Sequence, residues 1–307
     1  MSLTKLRVAY IPEHFSTPLM FAEKHGFYEK RGLEIEFVEV IEGSGRLIKL
    51  LNSNEVDIAI GLTEAFVADI AKGNDAYKLI DTYVKSPLLW AISTGSKRDE
   101  LTVAQQLDGK AIGVSRIGSG SYVMSFVLAH SLKFAHEFSS FPILSNFQNL
   151  RDSVNLKFGN ESELKNSDAF MWEYFTSKKY YDNGEIKQIG EIYTPWPSWV
   201  INATKNVYTS NKKAVSDFLA AVNEGIAYFN SHVDEAIDHI GTNLDYSKED
   251  AQEWSKTVQF NDKLGEAGLD WESVVSKTSA ILKLAGVLSD SDEVIAQRLE
   301  GGVVRQL

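Results

Sequence analysis

The chain contains no cysteine. Disulfides, cysteine–zinc centres, thiolate nucleophiles and cysteine-ligated clusters are therefore excluded. It also lacks an excess of positive charge: 42 acidic residues outweigh 31 basic ones, for a formal net charge of −11. A protein that grips duplex nucleic acid needs a basic face to displace phosphate counterions. No basic stripe occurs here, so no nucleic-acid partner is expected. Nor does any uninterrupted apolar run approach the roughly 18–20 residues of a membrane span, so membrane insertion is not expected. Residues 1–5 pass straight into an apolar segment without a leader. The corresponding expectation is either a protein that works where it is made, with the cytoplasm the favoured compartment, or one from which a leader has been removed. Proline is scarce, at six residues, yet two of them flank Trp196.

What is present fits an ordinary globular protein: 44% hydrophobic and 24% charged residues. A length of 307 residues corresponds to about two domains at roughly 150 residues each. Residues 6–11 read as a short strand stopped by Pro12, and 18–24 as a helix closed near Gly26. Residues 33–38 alternate as a half-buried strand does. Ser44 is a candidate cap for a helix carrying Leu47, Leu50 and Leu51. Residues 56–60 form another strand, Thr63 opens a helix, and 77–84 and 88–93 are further strands. Strand and helix alternating at this spacing point to an α/β parallel sheet. The pattern restarts after Gly95, with a strand at 111–114, a Gly/Ser loop at 115–121 and an amphipathic helix through Val123, Val127 and Leu132. Further strands are expected at 168–172 and 186–191. The segment 194–198 reads as a stiff connector, after which the chain turns helical. Phe218, Val222, Ile226 and Phe229 mark one apolar helix face.

Residues just past strand carboxyl ends line the usual ligand crevice of an α/β sheet. Glu13, His14 and Phe15 follow the first strand, and Thr63 and Glu64 follow the third. Arg116, Ser119, Ser121 and Tyr122 lie where a strand meets a helix N-terminus, which offers backbone N–H groups to an anion or polar ligand. Ser44 belongs to a shorter loop of that type. Trp172 and Glu173 sit in an aromatic-dense strand, and Trp196 lies in the connector. Each also has a plain structural reading, as loop, cap or core. Catalytic constellations are missing. There is no Gly-x-Ser-x-Gly elbow and no His-Glu-x-x-His, and the six histidines are scattered. No cofactor and no metal site are expected.

Residues 22–35, which read AEKHGFYEKRGLEI, are far more specific. They closely resemble the opening segment of the type II periplasmic-binding-protein-like family, in its NMT1/THI5-like branch. That branch includes sulfonate, nitrate and taurine binding proteins and thiamine-pyrimidine proteins. Residues 56–61 (VDIAIG) and 107–114 (LDGKAIGV) are similar to the family's next landmarks. Residues 170–173 (FMWE) and 195–198 (PWPS) resemble its Ca3427-like subgroup of fungi and bacteria. The resemblance implies a two-lobed periplasmic-binding-protein-like (type II) fold with a two-stranded hinge near 92–97 and 192–199. It places 1–94 and 197–307 in lobe one, with a helical C-terminal tail, and 95–196 in lobe two. It implies a small-molecule ligand held between lobes that close over it, by Glu13, His14, Phe15, Ser44, Thr63, Glu64, Arg116, Ser119, Ser121, Tyr122, Trp172, Glu173 and Trp196.

Aromatic rings and carboxylates together favour a flat nitrogen heterocycle, such as a thiamine-pyrimidine precursor, over a simple alkyl sulfonate. Three alternatives stand beside this expectation. One is a sulfonate or anion receptor for transport. Another is an enzyme of thiamine-pyrimidine synthesis using pyridoxal phosphate, for which Lys49 is the nearest Schiff-base candidate. The last is the same fold reused as a sensor. Bacterial members carry a leader, and the yeast pyrimidine synthases carry a cysteine-rich motif. This sequence has neither, so receptor and enzyme readings are both weakened.

Overall fold

The computed structural model describes residues 3–307. Its strands are β1 (Thr4–Tyr10), β2 (Leu33–Glu39), β3 (Ile58–Leu62), β4 (Tyr77–Val84), β5 (Leu89–Gly95), β6 (Ile112–Gly113), β7 (Ala169–Glu173), β8 (Ile186–Tyr193) and β9 (Trp199–Thr204). The chain divides into two compact units. One comprises Met1–Pro87, Pro195–Ser279 and Leu288–Leu307; the other comprises Leu88–Thr194 and Ala280–Val287.

The first unit is built on a sheet ordered β2-β1-β3-β9-β4. β1 runs parallel to both β2 and β3, while β9 lies antiparallel between β3 and β4. In β1, the short strand read from the sequence, Leu6, Val8, Ala9 and Tyr10 are buried. Arg7, between Leu6 and Val8, grips Asp57 with its backbone N–H at 2.8 Å and its guanidinium at 2.8 and 3.1 Å. The helix Thr17–Lys24 starts with Pro18 in its first turn, where no N–H is needed. The helix Lys212–Ser231 lies against it and buries Phe218, Val222, Ile226 and Phe229, the stripe read from the sequence. Gly225 makes this approach possible, since a Cβ there would stand 2.2 Å from the Pro18 carbonyl oxygen. The C-terminal segments tie onto β4. Asn261 donates its amide to the Thr82 carbonyl (2.9 Å), and Val304 N–H donates to the Leu79 carbonyl (2.8 Å).

The second unit has a sheet ordered β6-β7-β5-β8. β6 and β7 are parallel; β5 is antiparallel to both β7 and β8. Leu144, Leu150, Val154, Phe170 and Ile186 form its core. Each sheet is therefore parallel except for one strand. Side-chain alternation has period two in either direction, so the sequence pattern leaves direction open.

One boundary expectation is corrected. Residues 88–94 were expected in lobe one, but they form most of β5, which is hydrogen-bonded on both edges inside the second sheet. Ala280–Val287 likewise groups with the second unit, whereas Pro195 and Trp196 group with the first. Gly95 marks close packing: a Cβ there would stand 2.4 Å from the Val154 carbonyl oxygen.

Candidate functional site

In the first unit, the expected residues gather at the carboxyl ends of β1 and β3. The turn after β1 is held by the Glu13 carbonyl, which accepts from the Ser16 backbone N–H (2.9 Å) and hydroxyl (2.6 Å). His14 is fully buried. Its ring stacks on those of Tyr246 and Trp254, each 4.4 Å away and nearly parallel to it, with the edge of Phe15 at 4.5 Å. Phe15 also meets Trp199 at 5.1 Å. Its carbonyl accepts from the Tyr83 phenol at 2.7 Å. Burial pushes that phenol well above its ordinary range, so it stays a donor.

Helix Thr63–Ala71 begins directly after β3. Thr63 is buried and donates its hydroxyl to the Pro197 carbonyl at 2.6 Å. Glu64, fully buried, accepts from the Trp196 indole N–H at 3.0 Å. Thus the Pro–Trp–Pro connector is fastened to the β3 end by two side-chain hydrogen bonds. Ser44 departs from its expected capping role. Gly43 holds the cap position of helix Ser44–Asn52, and the Ser44 hydroxyl accepts from the Leu62 N–H at 3.0 Å. It thereby pins the helix start to the end of β3. Lys49 is exposed in the last turn of that helix.

In the second unit, the loop 115–121 closes on itself. Ser119 caps helix Gly120–Leu132 by accepting from Tyr122 N–H at 3.3 Å. Its hydroxyl also bonds that of Ser121 at 2.9 Å, and Ser121 accepts from Ser115 N–H at 3.4 Å. The hydroxyls expected to face a ligand are thus engaged within the loop. Arg116 is half-buried on the same loop, and its carbonyl accepts from Ser119 N–H at 3.2 Å. Tyr122 packs edge-on against Phe126 (5.1 Å) and Phe141 (4.8 Å).

At the far end of β7, Trp172 stacks on Phe147 at 5.0 Å. The Arg151 guanidinium lies 4.5 Å from the Phe147 ring and 3.7 Å from that of Tyr180, and pairs with Glu185 at 2.9 Å. Glu173 is buried and caps helix Tyr174–Asp182, accepting from the Thr176 N–H (2.7 Å) and hydroxyl (2.8 Å). Nearby, Tyr181 and Ser93 share a 2.5 Å hydrogen bond, and burial pushes the Tyr181 phenol up.

The structure therefore brings together Phe15, His14, Thr63, Glu64 and Trp196 in one unit, and Trp172 with Glu173 in the other. Sequence reasoning missed Tyr246 and Trp254, which complete the ring stack on His14. Tyr246 lies in the bend before helix Lys248–Ser255 and Trp254 on that helix, in a stretch whose polar composition gave no sign of them. It also missed Phe147 and Arg151, because helix Phe147–Val154 was not read. Among the described residues, no group of three or more histidines or carboxylates could hold a metal ion. No helix among them is long and apolar enough to cross a membrane.

Comparison with known proteins matches residues 90–192, nearly all of the second unit's main segment, to the Ca3427-like PBP family. The solved structure of the Candida albicans CA3427 gene product, described as exhibiting the generic periplasmic binding protein fold, shares 63% identity. It superposes with a TM-score of 0.93 over 99% of this chain and 97% of its own. The alkanesulfonate-binding protein SsuA from Xanthomonas axonopodis pv. citri, solved with MOPS, superposes with a TM-score of 0.73 at 16% identity, over 99% of each chain. A Haemophilus influenzae protein named for thiamine biosynthesis is 23% identical over 233 residues, 73% of this chain and 68% of its own.

Proposed function

The chain belongs to the Ca3427-like family, with the fold of the periplasmic binding proteins, and from that premise we propose that it binds a flat, nitrogen-containing heterocycle of the thiamine-pyrimidine class. The carrying observation is the pairing of ring faces with buried carboxylates at the strand ends of each unit. In the first, Glu64 is fixed by Trp196 beside the Phe15 ring cluster. In the second, Glu173 follows Trp172 directly and is fixed by Thr176.

A planar ring gains about 0.5–1.5 kcal/mol from each aromatic face. An N–H donor on that ring gains about 1.5–3 kcal/mol from a carboxylate. A small anion would be repelled by the same carboxylates in a medium of low dielectric. The kinship with a protein named for thiamine biosynthesis supports the pyrimidine class. The sulfonate-binding protein shares the fold at far lower identity than the Candida relative.

Isothermal titration with 4-amino-5-hydroxymethyl-2-methylpyrimidine, set against taurine and longer alkyl sulfonates, tests the reading. The pyrimidine is expected to bind and the sulfonates to bind far more weakly. Glu64→Gln is expected to lower pyrimidine affinity about 10- to 150-fold. Tight sulfonate binding with no heat from the pyrimidine overturns the proposal.

A further inference from the structure

The second sheet has an edge beyond β6. Residues 139–145 run parallel to that strand, with bridges between Ala111 and Ser140 and between Val114 and Ile143. The Ser140 carbonyl accepts from the Ile112 N–H (3.1 Å) and the Pro142 carbonyl from the Val114 N–H (2.9 Å). The Leu144 N–H donates to the Val114 carbonyl (2.8 Å). Ser140, Pro142 and Leu144 thus turn their backbone groups inward. Phe141 and Ile143 alternate with them and turn theirs outward. Neither makes a backbone hydrogen bond among the described residues, and Ile143 is 52% exposed.

An outward row of N–H and C=O groups is a template for a further strand, and proteins commonly guard it with charge or proline. The first sheet does so: its edge strand β2 flanks β1 and carries Glu34, Glu36 and Glu39, all exposed. β8, the other edge of the second sheet, carries Lys187 and Glu191. Residues 138–150 have no charged side chain, in a chain of net charge −11. Pro142 is on the wrong side to guard this edge. Its carbonyl bonds β6, so the N–H it lacks would also have faced β6.

We propose that this edge is the contact between two copies of the chain, paired antiparallel about a two-fold axis through Pro142. In that register the edge complements itself. Phe141 opposes the partner's Ile143, Ile143 opposes the partner's Phe141, and each pair exchanges both backbone bonds. Any other register pairs fewer of these groups. Opposed residues share a face of the sheet, and an aromatic ring against a β-branched chain is a favourable cross-strand pair. The Phe141 ring is already fixed against Tyr122 (4.8 Å), Phe126 (5.4 Å) and Phe138 (5.7 Å), so pairing costs it little freedom. The uncharged run also lets two acidic chains meet where neither carries negative charge. The edge is short and falls below the roughly 1,200 Å² of an ordinary stable interface. Association is therefore transient, with a Kd on the order of 100 µM.

Sedimentation velocity of the full chain, from about 10 µM to about 1 mM, tests this. The average mass is expected to climb from monomer toward dimer. Hydrogen exchange across 138–146 is expected to slow over the same range, because the Phe141 and Ile143 amides gain partners. Ile143→Lys places a charge on the edge, and Ile143→Pro removes an N–H that bonds nothing in the single chain. Both are expected to keep the parent's circular dichroism and to weaken association at least about tenfold. Tyr193→Lys, at an exposed position on β8, is expected to associate as the parent does. A parent that stays monomeric at about 1 mM overturns the inference. So does a dimer that survives Ile143→Lys, one lost through Tyr193→Lys instead, or one that leaves exchange at 138–146 unchanged.

Discussion

Replacing Trp196 by phenylalanine deletes one hydrogen bond and very little else. The indole N–H of Trp196 lies 3.0 Å from a carboxylate oxygen of Glu64, and both side chains are at most 2% exposed. Water cannot take the place of the lost donor without entering the interior. A hydrogen bond to a charged acceptor is worth about 1.5–3 kcal/mol. The smaller ring leaves a void that adds about 1 kcal/mol. Trp196→Phe should therefore cost about 2.5–4 kcal/mol of unfolding free energy, or roughly 5–15 °C in Tm for a unit of this size. Glu64→Gln keeps an acceptor for the indole but removes the charge. In the double variant, the indole and carboxylate terms vanish together. Urea unfolding of the four proteins closes the cycle; because glutamine still accepts from the indole, the expected coupling is the excess of a charge-assisted over a neutral hydrogen bond, about 1 kcal/mol. A coupling below about 0.5 kcal/mol would show that the connector is not held by this bond. The account of how Trp196 orients Glu64 would then fail.

Three further outcomes follow from the geometry. Gly225→Ala should cost at least about 1–3 kcal/mol in urea unfolding, because the new methyl would stand 2.2 Å from the Pro18 carbonyl oxygen and backbone must shift; an unchanged midpoint contradicts the close approach. Glu173→Ala should lose about 0.5–2 kcal/mol through the helix cap, while Glu173→Gln keeps most of it; equal losses in the two would show that the cap contributes nothing. Burial, with Lys24 close by, holds the half-buried His239 imidazole below its usual 6.5. The folded state then binds that proton less readily than the unfolded chain, so its share of stability is intact above about pH 6.5 and is lost as pH falls. His239→Gln should flatten the stability profile just below pH 6.5, and an unaltered slope argues against the shift.

Much of the fold is legible in the residues. Pro12 stops β1, Gly26 and Gly32 punctuate the first helix and β2, and the Phe218–Phe229 stripe announces the long helix. Strand direction is not legible, because antiparallel β5 and β9 are short segments buried on both faces, just as parallel β3 is. The restart of the pattern after Gly95 suggested a boundary there, but that glycine serves helix packing within one unit. In the candidate site, the sequence made legible that Phe15, Thr63 and Glu64 lie just past strand ends. The partner of Glu64 was hidden by distance, since Trp196 lies 132 residues on. Glu173 was grouped with an aromatic strand, and its capping role was missed because the helix after it, rich in tyrosine, carries no clear apolar stripe.

The antiparallel placement of β9 has a consequence for how the chain is made. In the first sheet, β3 and β4 touch only through β9, and β4 meets residue Val303 on its other side. A ribosome releases β4 long before either partner exists. Until residues 199–204 emerge, β3 and β4 expose open hydrogen-bonding edges, a recognised route to misassociation. Meanwhile 88–194 is a continuous stretch that holds the whole second sheet, so synthesis supplies it in one piece. During translation the later-encoded sheet can close first, and the earlier one stays an unfinished template until its interior strand β9 is delivered. Translational pauses between codons 88 and 198 should therefore lengthen the aggregation-prone interval. Pauses after codon 204 should leave it almost unchanged.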